Sequence, residues 1–143
     1  MHMRIEIPGN PISKNRPRFA RRGRFVKTYS DQTTESGLFF LSAMEQVGEK
    51  LFGPLFVQFR FEIARPKSHY GTGKNSGKLK PSAPQWPHGQ KQDFDNLEKF
   101  ACDCLNGLAW EDDRQIVEAH TKKIWADSPE GAKTVIVITE LET

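Results

Sequence analysis

Leu55, Val57, Phe59, Phe61 and Ile63 alternate with Gln58, Arg60 and Glu62 over a run rich in β-formers. A period of two fits an extended strand with one face on a core and the other in water. Any fold for this chain therefore has to contain a sheet that is covered on one side and wet on the other. Met3, Ile5 and Ile7 alternate with Arg4 and Glu6 ahead of Pro8-Gly9-Asn10-Pro11, which predicts a second, shorter strand. The run from Thr134 to Leu141, TVIVITEL, is apolar on both faces, as a central strand is. Gln115 to Trp125 alternates less cleanly, with Val117, Ala119, Thr121 and Trp125 on one side.

Two segments change to the helical period. From about Asp31 to Leu51, the positions Leu38, Leu41, Met44, Val47 and Leu51 predict a long amphipathic helix, with Ser30 or Asp31 as N-cap and Gly53-Pro54 as the stop. Asp95-Asn96-Leu97-Glu98 has the form of a capping box. The stripe Leu97, Phe100, Ala101, Cys104 and Leu105 then predicts a shorter helix that ends at Asn106-Gly107. The expected fold class is α+β, a mixed, largely antiparallel sheet of about four strands with two main helices packed on one face. At 143 residues the chain is read as a single domain, 1–143. Residues 65–90, dense in Gly, Pro, Ser and Lys without periodicity, are read as a long mobile basic loop inside that domain.

Composition narrows the compartment and the partners. A mean hydropathy of -0.64 with no long apolar run argues against a membrane span. No charged and then apolar segment opens the chain, and Cys102 and Cys104 are too close for an ordinary disulfide, so a reducing, cytoplasmic location is expected. Cys102-x-Cys104 with His69, His88 or His120 lacks the spacing of common structural zinc sites, and Cys104 is expected in the core. Gly71-Thr-Gly-Lys74 and Ser76-Gly-Lys78 lack the full phosphate-loop pattern.

The formal charge of +3 conceals three blocks. Residues 1–30 carry Arg4, Lys14, Arg16, Arg18, Arg21, Arg22, Arg24 and Lys27 against Glu6 alone. Residues 65–92 carry Arg65, Lys67, Lys74, Lys78, Lys80 and Lys91 against no acid. Interleaved with Phe19, Phe25 and Tyr29, such cations suit nucleic acid. Trp86 is either a loop anchor or a base-stacking platform, and the sequence leaves both open. Between 93 and 113 the sign reverses: Asp93, Asp95, Glu98, Asp103, Glu111, Asp112 and Asp113 face only Lys99. Carboxylates repel phosphate, so acids beside cationic arms point to hard cations between the two and to metal-dependent phosphodiester chemistry.

Spacing gives that idea a geometry. Asp93 and Asp95 lie on one side of an extended segment. With Asp95 as N-cap, Lys99 sits one turn further along the same side, and the Trp110-Glu111-Asp112-Asp113 turn can fold back to add a third carboxylate. Mg²⁺ or Mn²⁺ prefers such oxygen ligands. The bland arrangement of the same residues is a capped helix followed by a solvated turn.

Asp93-Phe-Asp-Asn-Leu-Glu-Lys99, the helix end Leu105-Asn-Gly107 and Trp110-Glu-Asp-Asp-Arg-Gln-Ile116 together resemble the RusA-type Holliday junction resolvases of bacteria and their phages. The resemblance extends weakly to Asn10-Pro-Ile-Ser-Lys-Asn-Arg16 and Ile138-Thr-Glu140, and the 65–90 loop is longer than in the shortest members. It implies a homodimeric, Mg²⁺-dependent endodeoxyribonuclease, with Mn²⁺ as substitute and no small-molecule cofactor, that cuts four-way DNA junctions by paired nicks during recombination and repair. Carried over by position, Asp93, Asp95 and Asp113 bind the metal and Lys99 is the essential lysine, with Asp112 as the near alternative to Asp113. Lys14, Asn15, Arg16, Arg18, Arg21, Arg22 and Lys67 would contact DNA. A nuclease for flaps or forks, and a structure-specific DNA-binding protein without catalysis, are the competing readings.

Overall fold

A computed structural model describes residues 2–15, 18–22, 25–29 and 33–143, the segments 18–22 and 25–29 by their backbone. Four strands make one sheet: β1 (His2–Pro8), β4 (Leu55–Ile63), β5 (Ile116–Trp125) and β6 (Lys133–Glu140). Their order is β1-β6-β4-β5, with β6 antiparallel to both neighbours and β4 parallel to β5. The expected mixed, largely antiparallel α+β sheet is what forms, with TVIVITEL in its interior. Two helices, α1 (Thr33–Met44) and α2 (Phe94–Leu105), cover one face. The alternating apolar residues of β4 join Ile5, Ile7, Ile136 and Ile138 beneath Leu97, Phe100, Ala101 and Leu105 of α2 in a single core. Each large apolar side chain buried there contributes about 1.5–3 kcal/mol. On the opposite face the buried Glu62 carboxylate is paired, its Oε2 accepting from the half-exposed Arg60 Nε at 3.0 Å.

The first helix departs from expectation in length and in phase. It stops at Met44, and its buried residues are Phe39 and Ala43, while Leu38, Leu41 and Met44 are exposed. Phe39 meets Phe100 edge to face at 5.8 Å between centroids, and this contact sets the rotation of the helix. Gln46 explains the early stop. Its side-chain amide accepts from Glu6 N (2.8 Å) and donates to Glu6 O (2.7 Å), standing in for a neighbouring strand at the β1 edge. Leu51 is apolar for a different reason than helical periodicity: it enters the core from extended chain, bridging to Trp110.

The loop at 65–90 is built rather than loose. A short 3₁₀ turn at Lys67–His69 precedes the bridges Tyr70↔Leu79 and Gly71↔Ser76, which enclose a second at Gly73–Asn75. The Arg65 guanidinium lies 4.8 Å over the Trp125 ring, and Arg65 Nη1 and Trp125 Nε1 both donate to Pro84 O, at 2.9 and 3.0 Å. The N-terminal basic segment contributes a separate antiparallel strand pair, β2 (Arg18–Arg22) with β3 (Phe25–Tyr29). Among the described residues no helix is long and apolar enough to cross a membrane.

Candidate active site

α2 begins one residue past Asp93, so Asp93 is the N-cap and Asp95 lies in the first turn, a shift from the expected start at Asp95. The Asp93 carboxylate makes no capping bond to the backbone and instead accepts from Asn96 Nδ2 at 3.3 Å. It is therefore not consumed by the helix end, as the bland arrangement would require. Helical spacing puts Asp95, Glu98, Lys99 and Cys102 along one flank of α2. Asp95 and Lys99 are exposed. Glu98 Oε1 accepts from Thr121 Oγ1 at 2.6 Å, which turns this flank toward β5.

The third acid arrives through a chain of part-buried polar contacts. Gly107, at φ +82°, reverses the backbone after α2, and its N–H donates to Trp110 O at 2.7 Å. The Trp110 indole is fully buried and its Nε1 donates to Asn106 Oδ1 at 2.6 Å, while Asn106 Nδ2 donates to Asp113 Oδ2 at 3.2 Å. Asp113 is thus drawn back toward the end of α2. Its neighbour Asp112 is engaged differently. It caps the 3₁₀ turn Asp113–Gln115, accepting from Arg114 N at 2.9 Å, while Gln115 Oε1 accepts from Asp112 N at 3.0 Å. Of the two adjacent acids, Asp112 holds the turn together and Asp113 faces the helix.

Cys102 reports the local field. Its thiol is pushed up to about 12, first by burial and then by the charges of Asp113, Glu98 and Asp103. Asp113 and Glu98 therefore act on the same point of the α2 flank, with Asp95 one turn before Glu98. Burial also pushes the Cys104 thiol up to about 11, and Cys104 packs in the core as expected. Both thiols stay protonated near neutral pH, so the acid groups at this flank are oxygen donors, which suit a hard divalent cation such as Mg²⁺. The carboxylates of Asp93, Asp95 and Asp113 are not gathered into one group. Among the described residues, no three His, Cys, Asp or Glu side chains stand close enough to hold an ion.

Cations border this flank. Lys14 N donates to Asn96 O at 2.9 Å, and Lys14 Nζ pairs with Asp103 Oδ2 at 3.2 Å, so the N-terminal basic segment runs beside α2 with Asn15 exposed after it. Lys67 is exposed on its 3₁₀ turn. Arg16 lies outside the described residues, as do the side chains of Arg18, Arg21 and Arg22. Sequence reasoning misses Asn106 as the link between Trp110 and Asp113, Thr121 as the partner of Glu98, and Lys123, whose Nζ donates to Gln92 O at 3.1 Å beside Asp93. An asparagine at a helix end with a tryptophan four residues on is the available signal for the first. The other two depend on the register of β5 against α2 and leave none.

A family model described as Endodeoxyribonuclease RusA matches residues 8–139. A protein of Bacillus subtilis (strain 168) described as uncharacterized protein YqaN is 24% identical over 137 residues, which cover 89% of this chain and 90% of that protein.

Proposed function

Because the chain belongs to the RusA endodeoxyribonuclease family, we propose that it is a Mg²⁺-dependent nuclease that resolves four-way DNA junctions by paired nicks as a cytoplasmic homodimer. Asp93, Asp95 and Asp113 are the residues that would hold the ion, with Mn²⁺ as a substitute. The observation that carries this reading is the Trp110–Asn106–Asp113 chain, in which a buried indole and a part-buried amide turn one acid toward α2 while Asp112 serves the turn. Asp93 and Asp113 each accept a bond from an asparagine amide.

When bound, the ion supplies Lewis-acid stabilisation of the charge that builds on the phosphate oxygens. The chain's own residues do the rest. Lys99, one turn past Asp95, offsets negative charge on the phosphoryl group as the bond to the leaving oxygen breaks. The positive end of α2 adds to that potential. Lys14, Asn15 and Lys67, with Arg16, Arg18, Arg21 and Arg22, bind the sugar-phosphate backbone, so junction choice comes from shape more than from base identity. Two copies under one symmetry axis match the near-twofold symmetry of a four-way junction.

A synthetic junction with each strand labelled in turn tests the reading. Mg²⁺ should give symmetric nicks in two strands of like polarity, and EDTA should abolish them. Nicks confined to forks or flaps would reassign the substrate. Junction binding with no Mg²⁺-dependent nicking at all would make the protein a structure-specific binder instead.

A further inference from the structure

At the far end of β5 from Asp113, the 65–90 loop borders an open pocket of about 430 Å³ lined by Tyr70, Leu79, Gln85, Trp86, Trp125 and Asp127 among others. Volumes of this order suit a small planar ligand. The loop's anchoring does not use the Trp86 ring. Pro84 O holds Arg65 and Trp125, Pro87 is fully buried, and His88 N closes on Trp86 O at 2.9 Å. Trp86 is therefore clamped through its backbone on both sides while the residue stays 51% exposed beside the half-exposed Leu79. A large aromatic face held rigid and left uncovered is a platform already organised for stacking.

We propose that this pocket takes an unpaired nucleobase, stacked on Trp86, from the DNA strand that passes the carboxylate site. The inference rests on the DNA-cutting function proposed above and assigns it a second point of contact. Charge and position select this occupant. Lys67, Lys74, Lys78 and Lys80 are all exposed on the same loop, and residues 65–92 contain no acid, so against the single pocket carboxylate of Asp127 the phosphates flanking a captured base meet a majority of cations. Lys123, two residues before Trp125, contacts Gln92 next to Asp93. The pocket thus opens at the end of β5 that Lys123 ties to the start of α2. Base stacking is tolerant of sequence, which fits recognition of a branch point where bases lose their partners.

Trp86→Ala and Trp86→Phe test the assignment, since an exposed ring can be removed without disturbing the core. Binding is measured in Ca²⁺ to a forked duplex with 2-aminopurine in its single-stranded arm, and to the same duplex fully paired. The wild-type protein should quench the 2-aminopurine. Trp86→Ala should lose the quenching and about tenfold in affinity for the fork, with duplex affinity unchanged, and Trp86→Phe should recover most of both. Unaltered quenching and affinity in Trp86→Ala would overturn the proposal. So would an equal loss on paired duplex, or a change in oligomeric state that marks Trp86 as a contact between copies. The two readings fail separately: quenching without nicking of any branched DNA sinks the nuclease and keeps the pocket, whereas normal nicking with an indifferent Trp86→Ala sinks the pocket alone.

Discussion

Asp93→Asn should lower Mg²⁺-dependent nicking of a four-way junction by about a thousandfold or more, while junction affinity in Ca²⁺ holds or rises. The substitution keeps the shape and removes the charge. Asp93 makes no capping bond to the α2 backbone, and its carboxylate accepts from Asn96 Nδ2, so stability should change by less than about 0.5 kcal/mol. Loss of a carboxylate also removes repulsion of phosphate, hence the retained binding. Asp113→Asn should behave in the same way. Asp112→Asn should not: an asparagine Oδ1 can still accept from Arg114 N in the cap of the following turn, so both stability and nicking should change little. Denaturant unfolding beside single-turnover cleavage separates the two acids, and an Asp112→Asn variant that is stable but inactive would reverse their roles.

Trp110→Ala carries the largest expected loss of stability, about 3–5 kcal/mol for a fully buried indole. In a chain of this size that lowers the melting temperature by roughly 10–20 °C. The more informative variant is Trp110→Phe, which keeps most of the volume and deletes the donor to Asn106 Oδ1. It should cost about 1–3 kcal/mol from the unpaired acceptor. Because Asn106 also holds Asp113, nicking should fall further than the stability loss explains, measured well below the melting transition. Normal nicking by folded Trp110→Phe would show that the indole serves packing alone.

The strands are legible in the sequence because their periodicity is stark. Leu55 to Ile63 alternates without a break, and TVIVITEL announces a central strand; both lie where expected. The Leu97–Leu105 stripe likewise marks α2. The first helix misleads because Leu38, Leu41 and Met44 keep a helical period on a side that this chain does not cover, and because Leu51 enters the core from extended chain. Periodicity records which residues are apolar, and tertiary contacts such as Phe39 on Phe100 and Gln46 on β1 decide the phase and the stop. The 65–90 segment hides its order because it is held by side chains at a distance, Arg65 and Trp125 on Pro84, not by a local pattern. At the candidate site the acids themselves can be picked out, but the division of labour between Asp112 and Asp113 depends on hydrogen bonds that no spacing encodes.

Whether Asp93, Asp95 and Asp113 together hold a divalent cation is decided most directly by Mn²⁺ titration of the intact protein, followed by electron paramagnetic resonance, which does not rely on cleavage. The wild-type chain should bind Mn²⁺ saturably, Asp113→Asn should weaken that binding about tenfold or more, and Asp112→Asn should leave it nearly unchanged. Identical Mn²⁺ binding by the wild type and Asp113→Asn, or no saturable binding by the wild type, would contradict the account.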